Sequence, residues 1–87
     1  MERHFKGAAN HYRLDILLLI NKEKGITVEG IADRLKANFK TVSQHTRYLA
    51  QAGLIQKKYK GRAVEHVLSP YGSVFAEFIK NFQRVGF

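Results

Sequence analysis

Ile26-Thr27-Val28-Glu29-Gly30-Ile31-Ala32-Asp33-Arg34-Leu35-Lys36-Ala37-Asn38-Phe39-Lys40-Thr41-Val42-Ser43-Gln44-His45-Thr46-Arg47-Tyr48-Leu49-Ala50-Gln51-Ala52-Gly53 reads as two short helices joined by a tight turn. Thr27 can cap the first helix, and Glu29 stands in its first turn, where a carboxylate suits the helix dipole. Ile31, Ala32 and Leu35 make its inner face. Lys36-Ala37-Asn38 then breaks the pattern, and Asn38 is a good N-cap for a helix running to about Ala52. Val42, Leu49 and either His45 or Thr46 face inward there, and Gly53 ends the run.

Upstream, Phe5, Ala8, Ala9 and Tyr12 recur at helical spacing, and Ile16, Leu17 and Ile20 continue the stripe. Leu14, Leu18 and Leu19 widen it, so this helix needs cover on two sides. Asn10 predicts a break near Ala9-Asn10, with a second segment starting at His11. The helix should end near Lys22 to Lys24, ahead of Gly25, and β-branched Ile26-Thr27-Val28 can supply one brief strand.

Downstream, two strands are expected at Leu54 to Lys60 and Ala63 to Leu68, around the turn Lys60-Gly61-Arg62. Ile55, Lys57 and Tyr59 share one face of the hairpin, as do Val64, His66 and Leu68. Ser69-Pro70 opens the last helix, whose apolar residues are Val74, Phe75, Phe78, Ile79, Phe82 and Val85. Helix, short strand, helix, turn, helix, hairpin, helix is the order of a winged helix-turn-helix. The expected class is mainly α with a small β-hairpin, and residues 1–87 are expected to form one such domain.

Charge suggests what this framework touches. The chain carries a net charge of +8. Arg34, Lys36, Lys40, Arg47, Lys57, Lys58, Lys60 and Arg62 lie in a stretch without Asp or Glu, and basic and acidic residues balance elsewhere. A carboxylate there would repel phosphate, so the cleared stretch points to nucleic acid; an anionic membrane or an acidic protein are the alternatives. On the second helix of the motif, about residues 38–52, Phe39, Lys40, Ser43, Gln44 and Arg47 share the face opposite the core. Gln44 can pair with adenine, Arg47 with guanine or a phosphate, and Ser43 with either kind of group. Lys40 and Thr41, with Asn38 ahead of them, suit phosphate at the helix N-terminus, and His45 is carried as a further contact. The wing, 57–62, should lie on the adjacent minor groove or backbone, with Arg62 and Lys60 at its tip and Lys57 and Lys58 on phosphates.

Four segments resemble the ArsR-like family of bacterial and archaeal repressors. They are Asn10-His11-Tyr12-Arg13-Leu14-Asp15-Ile16-Leu17, Thr41-Val42-Ser43-Gln44-His45, Leu49-Ala50-Gln51-Ala52-Gly53-Leu54-Ile55 and Leu68-Ser69-Pro70-Tyr71-Gly72. The resemblance implies a winged helix acting as a transcriptional regulator. Lys36 departs from a frequent turn glycine of that family, and Thr46 from a common core leucine. The metal-sensing cysteines of some members have no counterpart between Val28 and Leu35, and the last helix offers only Glu77 as a ligand.

The chain has no cysteine, which excludes disulfides, thiolate zinc sites and a cysteine nucleophile. His4, His11, His45 and His66 are scattered, with no ligand spacing, so no metal or other cofactor is expected, and His45 and His66 read as structural. No serine triad signature or glycine-rich phosphate loop occurs, so no enzymatic site is expected. The longest purely apolar run, Ile16 to Ile20, is far short of a membrane span, and no secretory leader is evident, so the expected location is cytoplasmic, on the nucleoid. The apolar excess of the outer helices (Phe5, Leu14, Leu18, Phe75, Phe78, Ile79 and Phe82) predicts a homodimer through the first and last helices. The resemblance implies the same interface. Sequence-specific binding of double-stranded DNA by a dimeric regulator is thus the leading expectation. An architectural DNA binder with little sequence preference, or a protein-interaction module, are the rivals.

Overall fold

The computed structural model describes the backbone of residues 2–84 and the side chains of residues 11–81. Four helices and one antiparallel hairpin follow one another as α1 (Glu2–Lys22), α2 (Val28–Leu35), α3 (Phe39–Gln51), β1 (Ile55–Lys60), β2 (Ala63–Leu68) and α4 (Pro70–Arg84). The order is that expected from the sequence, with three local differences. Helix α1 runs unbroken through Asn10. An interior asparagine costs only a fraction of a kcal/mol, roughly 0.5–0.7 relative to alanine, less than the cost of nucleating a second helix. The strand expected at Ile26-Thr27-Val28 shrinks to a single bridge, Ile26 with His66. Thr27 is already extended as the N-cap of α2, its Oγ1 accepting from Gly30 N–H at 3.1 Å, so Val28 is the first residue of the helix. Strand β1 starts at Ile55, because Leu54 N–H is taken by the carbonyl of Leu49 at the end of α3.

The core gathers one stripe from each element. Ile16, Leu17 and Ile20 of α1, Ile31 of α2 and Val42 of α3 are fully buried, joined by Leu49, Ile55, Ala76 and Ile79. Each large aliphatic side chain removed from water in this way contributes about 1.5–3 kcal/mol. Thr46 sits among them, 2% exposed, and is tolerated because its hydroxyl donates to the Ser43 carbonyl at 2.9 Å. A threonine can therefore stand where ArsR-like repressors commonly have a core leucine.

The turn between α2 and α3 closes on Lys36, which takes the left-handed conformation at φ 53°. The following residue, Ala37, donates back to Ala32 O at 2.9 Å, so the end of α2 is capped as a glycine would cap it. A side chain in this conformation costs about 1–2 kcal/mol relative to glycine. Asn38 then opens α3, its Oδ1 accepting from Lys40 N–H at 2.7 Å and Thr41 N–H at 3.3 Å.

The hairpin pairs Ile55 with Leu68, Lys57 with His66 and Lys60 with Ala63, which leaves Gly61 and Arg62 as a two-residue loop. Gly61 has φ 59° and Arg62 is not among the positive-φ residues, the pattern of a type II′ turn, which takes glycine first.

Helix α4 differs in which face it buries. Gly72, Ala76 and Ile79 face the core with half-buried Phe75, while Tyr71, Val74 and Phe78 lie outside at 64%, 70% and 63% exposure. The small residues decide this. A Cβ added at Gly72 would stand 1.9 Å from the Leu54 carbonyl oxygen, so only glycine lets the helix approach the base of the hairpin so closely. Ser69 locks the junction: its hydroxyl donates to Gly53 O at 2.6 Å and accepts from Gly72 N–H at 2.9 Å, while its own N–H donates to Leu54 O at 3.0 Å.

Candidate functional site

The candidate site is built on α3 and the hairpin. With Val42, Thr46 and Leu49 buried, the opposite side of α3 is left to solvent: Phe39, Lys40, Thr41, Gln44 and Arg47 are exposed and Ser43 is half-buried. Asn38 is exposed too, but its side-chain carbonyl is committed to the cap, leaving its amide N–H groups to donate outward. The first turn of α3 holds no carboxylate, so the positive end of its dipole, with the Lys40 and Thr41 N–H groups capped by neutral Asn38, faces solvent unopposed from within the helix.

His45 is half-buried, and its ring meets Tyr12 of α1 edge-on at 5.2 Å. Burial, then the nearby Arg13 charge, holds its pKa below the ordinary value. Arg13 in turn lies over the ring of Tyr48, 4.2 Å from its centroid. These two aromatic contacts fix the register of α3 on α1, which sets the direction of the exposed row. Tyr48 and Tyr59, to which the sequence reading gives no role, are exposed at 51% and 73%.

On the hairpin, Lys57, Lys58, Lys60 and Arg62 are all exposed. His66, opposite Lys57, is fully buried at the hairpin base. Its backbone N–H donates to Ile26 O at 2.9 Å, its carbonyl accepts from Gly25 N–H at 2.9 Å, and its Nδ1 lies 3.0 Å from the same Ile26 oxygen. Nδ1 therefore carries the proton, while Nε2 is buried with no hydrogen-bond partner among the described residues. His66 thus seats the hairpin on the loop between α1 and α2.

The start of α2 (Thr27, Val28, Glu29), the start of α3 (Phe39) and the tip of the hairpin (Arg62, Ala63, Val64) meet around one groove of about 420 Å³. The fold thus brings two of the expected contact regions, the head of α3 and the wing tip, to the two sides of a single depression. The stretch from Arg34 to Val64 is acid-free in sequence, but three carboxylates lie beside it in the fold, Asp33 and Glu65 from its two ends and Glu29 from the start of α2. Glu29 lines this groove, and Asp33 lines a second one with Lys36 and Ala37. Glu65 Oε1 lies 4.0 Å from Lys60 Nζ. Arg34 is held in an ion pair by Glu23. Of the eight cations in the stretch, Lys36, Lys40, Arg47, Lys57, Lys58 and Arg62 are left without a carboxylate partner among the described residues.

The residues expected at a dimer interface divide between core and surface. Ile79 fills the subunit core, Leu14, Leu18 and Phe75 are half-buried, and Phe78 is exposed. The side chains of Phe5 and Phe82 lie outside the described residues. No helix among the described residues is long and apolar enough to cross a membrane. Among them, no group of three or more His, Cys, Asp or Glu side chains could hold a metal ion.

A helix-turn-helix whose second helix is exposed along one side, followed by a basic hairpin seated against the same unit, defines a winged helix-turn-helix protein. The family model HVO_A0114 matches residues 9–76, and the chain belongs to that family. No curated protein matches the chain in sequence. Among solved structures, Streptococcus pneumoniae FabT in complex with DNA is similar at a TM-score of 0.79 and 20% identity, over 84% of this chain and 53% of FabT. A MarR protein from Peptoclostridium difficile matches at a TM-score of 0.78 and 20% identity, over 83% of this chain and 49% of its own. AF1382 from Archaeoglobus fulgidus matches at a TM-score of 0.78 and 19% identity, over 86% of this chain and 87% of its own. The chain spans about half the length of the first two. At such identities the likeness establishes the winged-helix fold.

Proposed function

We propose that this chain binds double-stranded DNA with sequence preference, as a homodimeric, non-enzymatic transcription regulator. Helix α3 enters the major groove, and the wing at 57–62 rests on the adjacent minor groove or backbone. The observation that carries the proposal is the groove where the exposed head of α3 meets Arg62 of the wing, on a segment that carries six cations not paired to carboxylates among the described residues. FabT, similar in fold, was solved with DNA. In this reading Gln44 and Arg47 reach base edges, with Ser43 beside them. Lys40, Thr41 and Asn38 take phosphates at the helix N-terminus, and Lys57, Lys58 and Lys60 hold the backbone. His45 supports α3 from behind through Tyr12. The sequence resembles ArsR-like repressors and the fold resembles a MarR protein. Both are winged helices, and the proposal rests on what they share.

A second copy is the partner that suits α4. Tyr71, Val74 and Phe78, three and four residues apart, form an exposed apolar stripe, and α1 adds half-buried Leu14 and Leu18. A two-fold dimer would set two α3 helices about 34 Å apart, one DNA turn.

Selection from a random duplex pool, followed by titration across salt, tests this. An enriched inverted repeat is expected. With roughly six phosphates neutralised per protomer, log K against log salt should fall with a slope on the order of −5 per protomer. Steep salt dependence without enrichment supports an architectural binder. An affinity that stays flat across physiological salt overturns DNA binding altogether.

A further inference from the structure

Phe39 is a large apolar side chain that the fold does not bury. It is the first residue of α3 and 53% exposed. It lines the groove on the wing side, with Val28 and Val64, and also the groove on the α2 side, with Ala32 and Ala37, so it stands as a ridge between the two. Apolar surface lies on both flanks, yet the ring settles into neither. Along α3 it leads the row continued by Ser43 and Arg47, each four residues further on. Lys36 and Lys40 flank it in sequence, and Arg62 faces it across the wing-side groove.

We propose that Phe39 is a specificity-determining residue that reads the 5-methyl group of a thymine in the major groove. This rests on the DNA-binding reading above and adds a base identity to it. A phenyl ring has no donor or acceptor to offer a base edge. Guanine and adenine present hydrogen-bonding groups along the major groove and cytosine adds only a C5–H, whereas thymine alone presents a methyl. The N-terminal residues of a helix-turn-helix recognition helix are the ones that reach base edges. Lys36, Lys40 and Arg62 would hold the phosphates on either side, which leaves the ring directed into the groove between them. Ring and methyl then remove each other from water, at a position where the free protein leaves the ring half in solvent.

The test uses two random duplex pools, one made with thymidine and one with deoxyuridine, which lacks only the methyl group. The tightest duplex from the thymidine pool is then remade with deoxyuridine at each thymine in turn. Wild-type protein is expected to lose about fourfold in affinity at one thymine per half-site, the worth of burying one methyl group. Phe39→Ala should bind the thymine and uracil forms of that position equally, and Phe39→Leu should keep part of the discrimination. Because Phe39 is on the surface, unchanged thermal unfolding of both variants is the control for folding. Wild-type binding that is intact but indifferent to uracil at every position overturns the inference, as does a Phe39→Ala variant that keeps the full fourfold discrimination. Failure to bind either pool instead sinks the DNA-binding reading on which it stands.

Discussion

His66 shows how one residue can carry a charge-dependent part of the fold. Its ring is buried at the base of the wing, hydrogen-bonded through Nδ1 and, among the described residues, unpartnered at Nε2. Burial is the main reason its pKa lies below the ordinary 6.5; the Ile26 carbonyl works against that shift, Lys57 adds to it and Glu29 opposes it. A histidine whose folded pKa is depressed favours folding while it stays neutral. The unfolded chain takes up its proton first as the pH falls past about 6.5, so stability is lost from there down through the folded value. His45, lowered for the same first reason, adds loss of the same sign. We therefore expect the thermal midpoint to fall between pH 7.5 and 5.5, a range above the titration of ordinary carboxylates. His66→Asn keeps an N–H near the position of Nδ1 but does not titrate. It should start from a lower midpoint at neutral pH and lose less on acidification. An undiminished loss in this variant, followed by circular dichroism, would show that His66 is not the source.

At the scale of elements, α3 and the wing should separate in function. Gln44→Ala is expected to cost about 1–3 kcal/mol at the preferred site and little elsewhere, because Gln44 lies on the exposed row of α3. Lys58→Ala should weaken all duplexes alike and reduce the salt slope by about one. Equal losses on specific and non-specific duplexes for Gln44→Ala would remove it from base reading. Most elements were legible from local signals whose physics is local: the caps Thr27 and Asn38, the Ser69-Pro70 start and the Gly61 turn. Two features were not. Helix α4 is apolar around much of its circumference, so periodicity alone does not choose its inner face; the small pair Gly72 and Ala76 does, through close approach. The acid-free stretch is a property of the sequence, bounded there by Asp33 and Glu65, whereas Glu29 comes to line a groove with Arg62 only once the chain is folded. The exposure of Phe39, by contrast, follows from helical spacing, which sets it with Lys40, Ser43, Gln44 and Arg47 on the face opposite the core.

For the whole molecule, the expectation is association through α1 and α4. Sedimentation at micromolar concentration should give a dimer. Val74→Glu, which places a carboxylate on a side chain 70% exposed in the subunit, should shift it to monomer and weaken binding to an inverted repeat more than to a half-site. A wild-type monomer, or a variant unchanged in both mass and affinity, would refute this interface. The junction at Ser69 bears on how such an assembly could respond to signals. Ser69 bonds Gly53 at the end of α3, Leu54 at the entry to the wing, and Gly72 in the first turn of α4, where the helix backbone already abuts the Leu54 carbonyl. Helix α3, the hairpin and α4 are therefore pinned at one point, like spokes on a hub. Any signal that altered DNA affinity through the dimer would act by rotating one such wheel against its twin, changing the spacing of the two reading heads while each keeps its own shape.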